Sequence, residues 1–216
     1  MNLFMGTNWS TPEELVGKVL NHCCKDEYSS VKYEIERKWL ATKDTVNWLL
    51  NEAKMIRPPH EQGEFKVRYV NSIWVSVDPE VRVRAYYSET HRLELYKICY
   101  KGSPEQAGLK RPEAECECTE EVFLKALEMA SQTAHPYRGN LILPMKFWLW
   151  TPYQGYTYEV KSMDYGAQYQ LEIETKTVEQ AEGIKLPIEL ENTLDWEVTN
   201  SKKHALKNYW QKTRMK

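Results

Sequence analysis

Hydrophobic and polar residues alternate with a period of two along most of the chain. Because successive side chains of a β-strand point to opposite faces, this alternation predicts strands. Turn residues such as Asp78-Pro79 and Lys101-Gly102-Ser103-Pro104 separate several of these segments. Many strands joined by short turns favour an all-β sandwich or barrel. The eight predicted strands are Val31–Trp39, Glu64–Val75, Val81–Tyr87, Leu93–Lys101, Arg111–Cys118, Leu141–Trp150, Tyr156–Met163 and Gln168–Thr175.

Four helices are predicted around these strands. The first begins at Thr11, which is followed by Pro12 and by Glu14, the residues of an N-cap, a first helical turn and a capping box, and it extends to about Cys24. We expect residues 1–30 to form an N-terminal helical extension and residues 31–216 to form one domain. The other predicted helices are Thr45–Lys54, Thr119–Ser131 and Ser201–Lys212.

Charges of like sign lie two residues apart on one face of several predicted strands. Arg82 and Arg84 are one such pair, and Glu172 and Glu174 are another. Side chains at this spacing are about 7 Å apart and repel one another unless opposite charge lies between them. An antiparallel sheet with one solvated face also gives alternation. However, the sign changes between strands: the first, fifth and eighth carry carboxylates, and the third and fourth carry cations.

A closed antiparallel barrel with these faces inward would surround one cavity with cations and carboxylates. Its apolar faces would then lie outside, under the helices. Cations bind the oxygens of polyphosphates, and paired glutamates supply the oxygen ligands that Mg²⁺ or Mn²⁺ prefers. Such ions bridge phosphate oxygens. The pattern therefore indicates a triphosphate site with divalent metal.

Composition narrows the class of protein. The 216-residue chain has a net charge of −2, which does not indicate general attraction to nucleic acid or anionic lipid. Its five cysteines form no CxxC pair, so neither a disulfide framework nor a zinc site is indicated. No apolar run approaches the ~20 residues of a membrane span, and the N-terminus lacks the pattern of a secretory signal. We expect a cytoplasmic protein without a membrane partner.

The charged segments resemble, in chain order, the motifs of the CYTH superfamily, also called triphosphate tunnel metalloenzymes. Glu34-Ile35-Glu36-Arg37-Lys38 is similar to its ExExK signature, and Val81-Arg82-Val83-Arg84 is similar to its VRxR strand. The remaining matches are Tyr100-Lys101-Gly102, Arg111 followed by Glu115-Cys116-Glu117, Tyr158-Glu159-Val160, Leu171-Glu172-Ile173-Glu174 and Glu197-Val198-Thr199.

The resemblance implies an eight-stranded antiparallel tunnel that holds a triphosphate and one or two Mg²⁺ or Mn²⁺ ions. Lys38 and Lys101 are the expected catalytic residues, with Lys38 helping to activate the attacking water. The expected phosphate ligands are Lys38, Arg82, Arg84, Lys97, Lys101, Arg111 and Lys146, and the expected metal ligands are Glu34, Glu36, Glu117, Glu172 and Glu174.

The resemblance favours hydrolysis of inorganic tripolyphosphate or of a nucleoside or organic triphosphate. The chain departs from the family at Lys146, which stands where the sixth strand often has the arginine of KTRY, and at Lys161, which replaces an acidic residue. Three alternatives stay open: a class IV adenylyl cyclase, an RNA 5′-triphosphatase and a non-catalytic polyphosphate- or nucleotide-binding module. The basic tail after Val198 leaves an RNA 5′ end open as a partner, and a homodimer is also open.

Overall fold

A computed structural model describes residues 10–23, 32–55, 63–132, 141–152, 156–199 and 201. Within these ranges the chain forms five helices and nine strands. The helices are α1 (Pro12–Cys23), α2 (Lys43–Lys54), α3 (Glu120–Gln132), α4 (Val178–Glu182) and α5 (Ile188–Glu191). The strands are β1 (Lys32–Ala41), β2 (Glu64–Val77), β3 (Glu80–Tyr87), β4 (Leu93–Lys101), β5 (Lys110–Cys118), β6 (Leu143–Thr151), β7 (Thr157–Met163), β8 (Gln168–Glu174) and β9 (Leu194–Glu197).

Strands β1 to β8 form a closed antiparallel barrel. Their order is β5-β4-β3-β2-β6-β7-β8-β1, and the first half of β1 pairs with β5 to close the ring. The second half of β1 pairs with β8, and β9 adds to its free edge beyond β5. The expected eight-stranded barrel is confirmed.

The apolar faces of the strands lie outside and are covered by helices, as the alternation predicts. Helices α1 and α3 pack on β2 to β5, where Leu15 and Phe123 join a cluster of buried strand residues. Helices α2, α4 and α5 cover the side formed by β1, β6, β7 and β8, around Leu49 and Leu190. Burial of these outer faces leaves the opposite, charged faces to line the interior.

A third apolar cluster fills one end of the barrel. Trp74, Leu143, Met145 and Met163 have inward positions and are buried there. They lie where β2, β4 and β7 end and where β3, β6 and β8 begin. The space that remains inside the barrel lies toward the opposite end.

The helices differ from expectation in detail. Helix α2 begins at Lys43, before the predicted Thr45, because Thr42 caps it and forms a capping box with Thr45. Helices α4 and α5 and strand β9 were not predicted, since each has only four or five residues. The predicted Ser201–Lys212 helix lies outside the described residues apart from its first position. The described helices include none that is long and apolar enough to cross a membrane.

Candidate active site

A cavity of about 200 Å³ lies inside the barrel. Cations from β2, β3 and β4 form one wall, and carboxylates from β1, β7 and β8 form the facing wall together with Lys161. Tyr86, Phe147 and Leu149 supply apolar surface between the charges. The charged lining residues are Lys66, Arg68, Arg82, Arg84, Lys97, Lys161, Glu34, Glu113, Glu115, Glu159 and Glu174.

Arg84 is a deeply buried cation of the basic wall. It is only 6% exposed, and its Nε and Nη1 donate to Ser72 Oγ (3.3 Å) and to the Tyr86 hydroxyl (3.2 Å). Its Nη2 has no hydrogen-bond partner, and no carboxylate among the described residues lies within 4 Å of the guanidinium. A buried charge without a counter-ion is costly, so this arrangement favours binding of an anion.

Arg82 and Arg111 share a buried acid, Glu80. Arg82 Nη1 lies 3.2 Å from Glu80 Oε1, and Arg111 Nη2 lies 3.0 Å from Glu80 Oε2. The indole N–H of Trp74 also donates to Glu80 (3.1 Å). Burial raises the pKa of Glu80, but Arg82 and Arg111 outweigh it and lower the pKa to about 2. Glu80 therefore stays ionised and fixes both guanidinium groups.

Strand register brings three carboxylates together on the acidic wall. Glu36 lies opposite Glu174 in the β1–β8 pair, and Glu34 precedes Glu36 on the same face of β1. One oxygen from each of these glutamates lies within 4.8 Å of the others. Glu36 is 4% exposed, and its Oε2 has no hydrogen-bond partner within the part of the chain that the structure describes. Clustered, desolvated carboxylate oxygens of this kind suit a hard divalent cation.

Repulsion between neighbouring carboxylates shifts the pKa values of this trio. Burial and the nearby Glu172 and Glu34 raise the pKa of Glu36 well above its usual range. Burial and Glu159 raise the pKa of Glu174 to about 7. By contrast, Lys101 and Lys38 overcome the effect of burial and lower the pKa of Glu34 to about 2. A divalent cation would relieve the repulsion that keeps protons on Glu36 and Glu174.

The two expected catalytic lysines are both ion-paired. Lys38 contacts Glu36 and lies 3.3 Å from Glu172 Oε1, and Lys101 contacts Glu34 and lies 3.5 Å from Glu113 Oε1. Burial lowers the pKa of each lysine, but these carboxylates outweigh it and raise both pKa values. Both side chains are therefore ammonium ions near neutral pH.

Lys161, the departure from the family pattern, lies inside the barrel. It is 5% exposed, contacts Glu172 and lies 2.8 Å from Glu159 Oε1. Register explains the contact, because Glu159 and Glu172 face each other across the β7–β8 pair and Lys161 follows on the same face of β7. The Lys161 ammonium group is therefore a counter-ion of Glu159 and Glu172.

The structure brings most of the predicted site residues to the interior. Glu117 shares the inward face of β5 opposite Lys97 but is neither part of the glutamate trio nor in contact with the cavity. Its role as a metal ligand stays a prediction. Glu172 lies beside the trio, where Lys161 contacts it.

Lys146 was assigned to the wrong face. Phe147 and Leu149 line the cavity, so the alternation of β6 directs Lys146 outward. Its Nζ lies 4.9 Å from the ring centroid of Tyr69 and 5.0 Å from that of Trp148 on the outer surface. Lys146 therefore cannot bind a phosphate held inside the barrel.

Four charged residues of the interior were missed in the sequence: Lys66, Arg68, Glu80 and Glu113. Lys66 and Arg68 line the basic wall and have the two-residue spacing of like charge that marks the other strands, so this signal was present. Glu80 directly follows Asp78-Pro79, so its position in the sequence is that of a turn residue. The two-residue spacing places it beside Arg82 on β3, but only the arrangement of the strands in the barrel brings it to Arg111.

Solved structures share the fold. The PH1819 protein from Pyrococcus horikoshii OT3 is 18% identical, with 76% of this chain and 92% of that chain covered and a TM-score of 0.52. The conserved hypothetical protein Pfu-838710-001 from Pyrococcus furiosus is 17% identical, with 75% and 94% covered and a TM-score of 0.50. The inorganic triphosphatase NE1496 is 16% identical, with 82% and 93% covered and a TM-score of 0.43. No family model matches the chain, and neither does any curated protein. At these identities the similarity to the two Pyrococcus proteins establishes the fold alone.

Proposed function

We propose that the barrel binds a linear triphosphate together with a divalent cation and hydrolyses a terminal phosphoanhydride bond. The observation that carries the proposal is the buried guanidinium of Arg84, which has no carboxylate within 4 Å among the described residues and lines a cavity bordered also by Glu34 and Glu174 of the glutamate trio. One wall thus attracts an anion and the other a cation. A metal-bound polyphosphate satisfies both.

The cations of the basic wall would hold the phosphate chain. Arg82 and Arg84 present guanidinium forks that suit phosphate oxygens, and Glu80 holds the first of them in place. Lys97, Lys66 and Arg68 extend the wall along neighbouring strands. In this way several oxygens along the chain of phosphates would be contacted at once.

Glu34, Glu36 and Glu174 would hold the divalent ion. Their donor set fits Mg²⁺ or Mn²⁺, because it consists of carboxylate oxygens and includes the unpartnered Glu36 Oε2. A bound ion would neutralise charge on the phosphates as the bond breaks.

Lys38 and Lys101 would act as charged groups. Since their pKa values are raised, neither is suited to accept a proton from water. Each can orient a water molecule by donating a hydrogen bond and can stabilise negative charge that develops on the phosphates. Both lysines therefore remain the proposed catalytic residues, as hydrogen-bond donors and positive charges.

The size of the cavity favours inorganic tripolyphosphate as substrate. Its volume of about 200 Å³ is smaller than the roughly 300–1,000 Å³ of pockets that enclose drug-sized ligands. The buried Trp74, Met145 and Met163 also fill the end of the barrel that could otherwise hold a base. A nucleoside attached to the triphosphate would lie outside the enclosed space.

The test is phosphate release from tripolyphosphate, ATP and an RNA 5′-triphosphate, each with Mg²⁺, Mn²⁺ or EDTA. We expect EDTA-sensitive release, fastest from tripolyphosphate, that Glu34→Gln/Glu36→Gln abolishes and the exposed control Glu121→Gln retains. Cyclic AMP formed from ATP would identify a cyclase instead. Release only from the RNA end would identify an RNA 5′-triphosphatase, and binding without release would identify a non-catalytic module.

A further inference from the structure

The carboxylates of the acidic wall differ in how far the lysines inside the barrel compensate their charge. Lys161 contacts Glu172 and lies 2.8 Å from Glu159, so one ammonium group serves both of these carboxylates. Glu34 and Glu36 each contact a lysine of their own, Lys101 and Lys38. Among the described residues, no lysine or arginine nitrogen lies within 4 Å of Glu174, and no hydrogen-bond donor contacts Glu36 Oε2.

The charges of this wall leave room for one divalent ion. Five carboxylates line it: Glu34, Glu36, Glu159, Glu172 and Glu174. Three ammonium groups contact them, which are those of Lys38, Lys101 and Lys161. Lys101 also lies 3.5 Å from Glu113 Oε1, so at least two negative charges are left over, and a single Mg²⁺ or Mn²⁺ neutralises two of them. To bind at Glu159 and Glu172, a second divalent ion would need to displace the ammonium group of the Lys161 side chain.

The position of Lys161 makes that displacement unfavourable. The side chain is 5% exposed and lies between Glu159 and Glu172, of which Glu172 is only 1% exposed. Breaking a buried ion pair leaves an uncompensated buried charge, which is strongly unfavourable. The ammonium group therefore occupies the volume and the oxygen atoms that a second ion would require.

We propose that the Lys161 ammonium group takes the place of a second divalent ion, so that the barrel binds a single divalent ion at Glu34, Glu36 and Glu174. The inference rests on the proposed metal site and specifies its stoichiometry. It also assigns Lys161 a positioning role, since the side chain holds Glu159 and Glu172 away from the ion.

The experiment measures Mn²⁺ binding without substrate, by equilibrium dialysis and by electron paramagnetic resonance. We expect the wild-type chain to bind one Mn²⁺ ion with an uncoupled spectrum. Lys161→Ala frees Glu159 and Glu172 and should bind two ions, about 3.5–4 Å apart as in two-metal sites, with a spin-coupled spectrum. Lys161→Arg keeps the charge and should bind one. The outward Lys146→Ala should match the wild type.

Each outcome decides a different question. Two Mn²⁺ ions on the wild-type chain would overturn the inference, and this measurement does not depend on the folding of a variant. A single ion on folded Lys161→Ala, checked by circular dichroism, would overturn it as well. No Mn²⁺ on the wild-type chain would refute the proposed metal site, and with it the proposed function.

Discussion

Glu80 offers the sharpest test of how the interior is stabilised. Glu80→Gln removes the buried charge that lies 3.2 Å from Arg82 and 3.0 Å from Arg111 but retains the shape of the side chain. The two guanidinium groups then lose their shared counter-ion inside the barrel. We therefore expect a large loss in the free energy of unfolding from a single-atom change.

The magnitude follows from the pKa of Glu80. Arg82 and Arg111 lower this pKa from 4.5 to about 2, against the effect of burial. Since one pKa unit corresponds to about 1.4 kcal/mol, the ionised carboxylate contributes about 3 kcal/mol at pH 7. Loss of one partner from a buried ion pair typically costs a similar amount, about 3–5 kcal/mol.

The dependence on pH has a defined sign. Because folding lowers the pKa of Glu80, its contribution is complete above the unfolded value of 4.5 and declines as the pH falls toward 2. The difference between the wild type and Glu80→Gln should therefore be largest at neutral pH. By about pH 3 it should fall to less than half.

The assay is urea unfolding followed by tryptophan fluorescence between pH 7 and pH 3. The buffer must contain no phosphate, because an anion bound to Arg82 would compensate for the lost carboxylate. Glu128→Gln is the matched control, since Glu128 forms an exposed ion pair with Lys125 and its loss should have no measurable effect. A difference below about 1 kcal/mol at pH 7, or one unchanged at pH 3, would show that the Glu80 charge does not stabilise the two guanidinium groups in this way.

Three further predictions concern the site. Arg84→Met should raise the free energy of unfolding of the ligand-free protein by about 1–4 kcal/mol, since it removes a buried charge that has no counter-ion among the described residues. A lower free energy of unfolding, measured with urea, would contradict this. Saturating Mn²⁺ should raise the melting temperature of the wild type but not of Glu36→Gln, as measured by calorimetry. An equal increase in both would exclude Glu36 as a ligand. Lys146→Ala should leave phosphate release unchanged, because Lys146 lies on the outer surface. Reduced phosphate release would indicate that Lys146 does bind the substrate.

The barrel could be predicted because its signal repeats on every strand. Each of the eight strands alternates, and turn residues separate several of them, so their number follows from local pattern. The inward direction of the charges could also be inferred, since like charges two residues apart on Arg82 and Arg84 need opposite charge nearby. Strand β9 has only four residues, too few for such a pattern.

Residues that depend on pairing across the barrel could not be placed in the same way. Strand β6 reads Pro144-Met145-Lys146-Phe147-Trp148-Leu149, with large apolar residues on both faces, so hydrophobicity does not indicate which face is inside. The pairing of Phe147 with Arg68 and Lys161 decides it. Glu80 is next to Arg82 on the same face of β3, but it lies beside Lys101 and Arg111 only because the strands pair, since both residues lie far along the chain.

We expect the interior to bind a metal-bound triphosphate through Arg84 and the glutamate trio. Titration calorimetry of tripolyphosphate into the protein with Mg²⁺ measures this binding. A charge-assisted contact contributes about 1.5–3 kcal/mol, so Arg84→Met should weaken binding about 10- to 100-fold, and EDTA should also weaken it. Lys146→Ala should bind as the wild type does. Binding that is absent from the wild type, or that Arg84→Met leaves unchanged, would contradict the account.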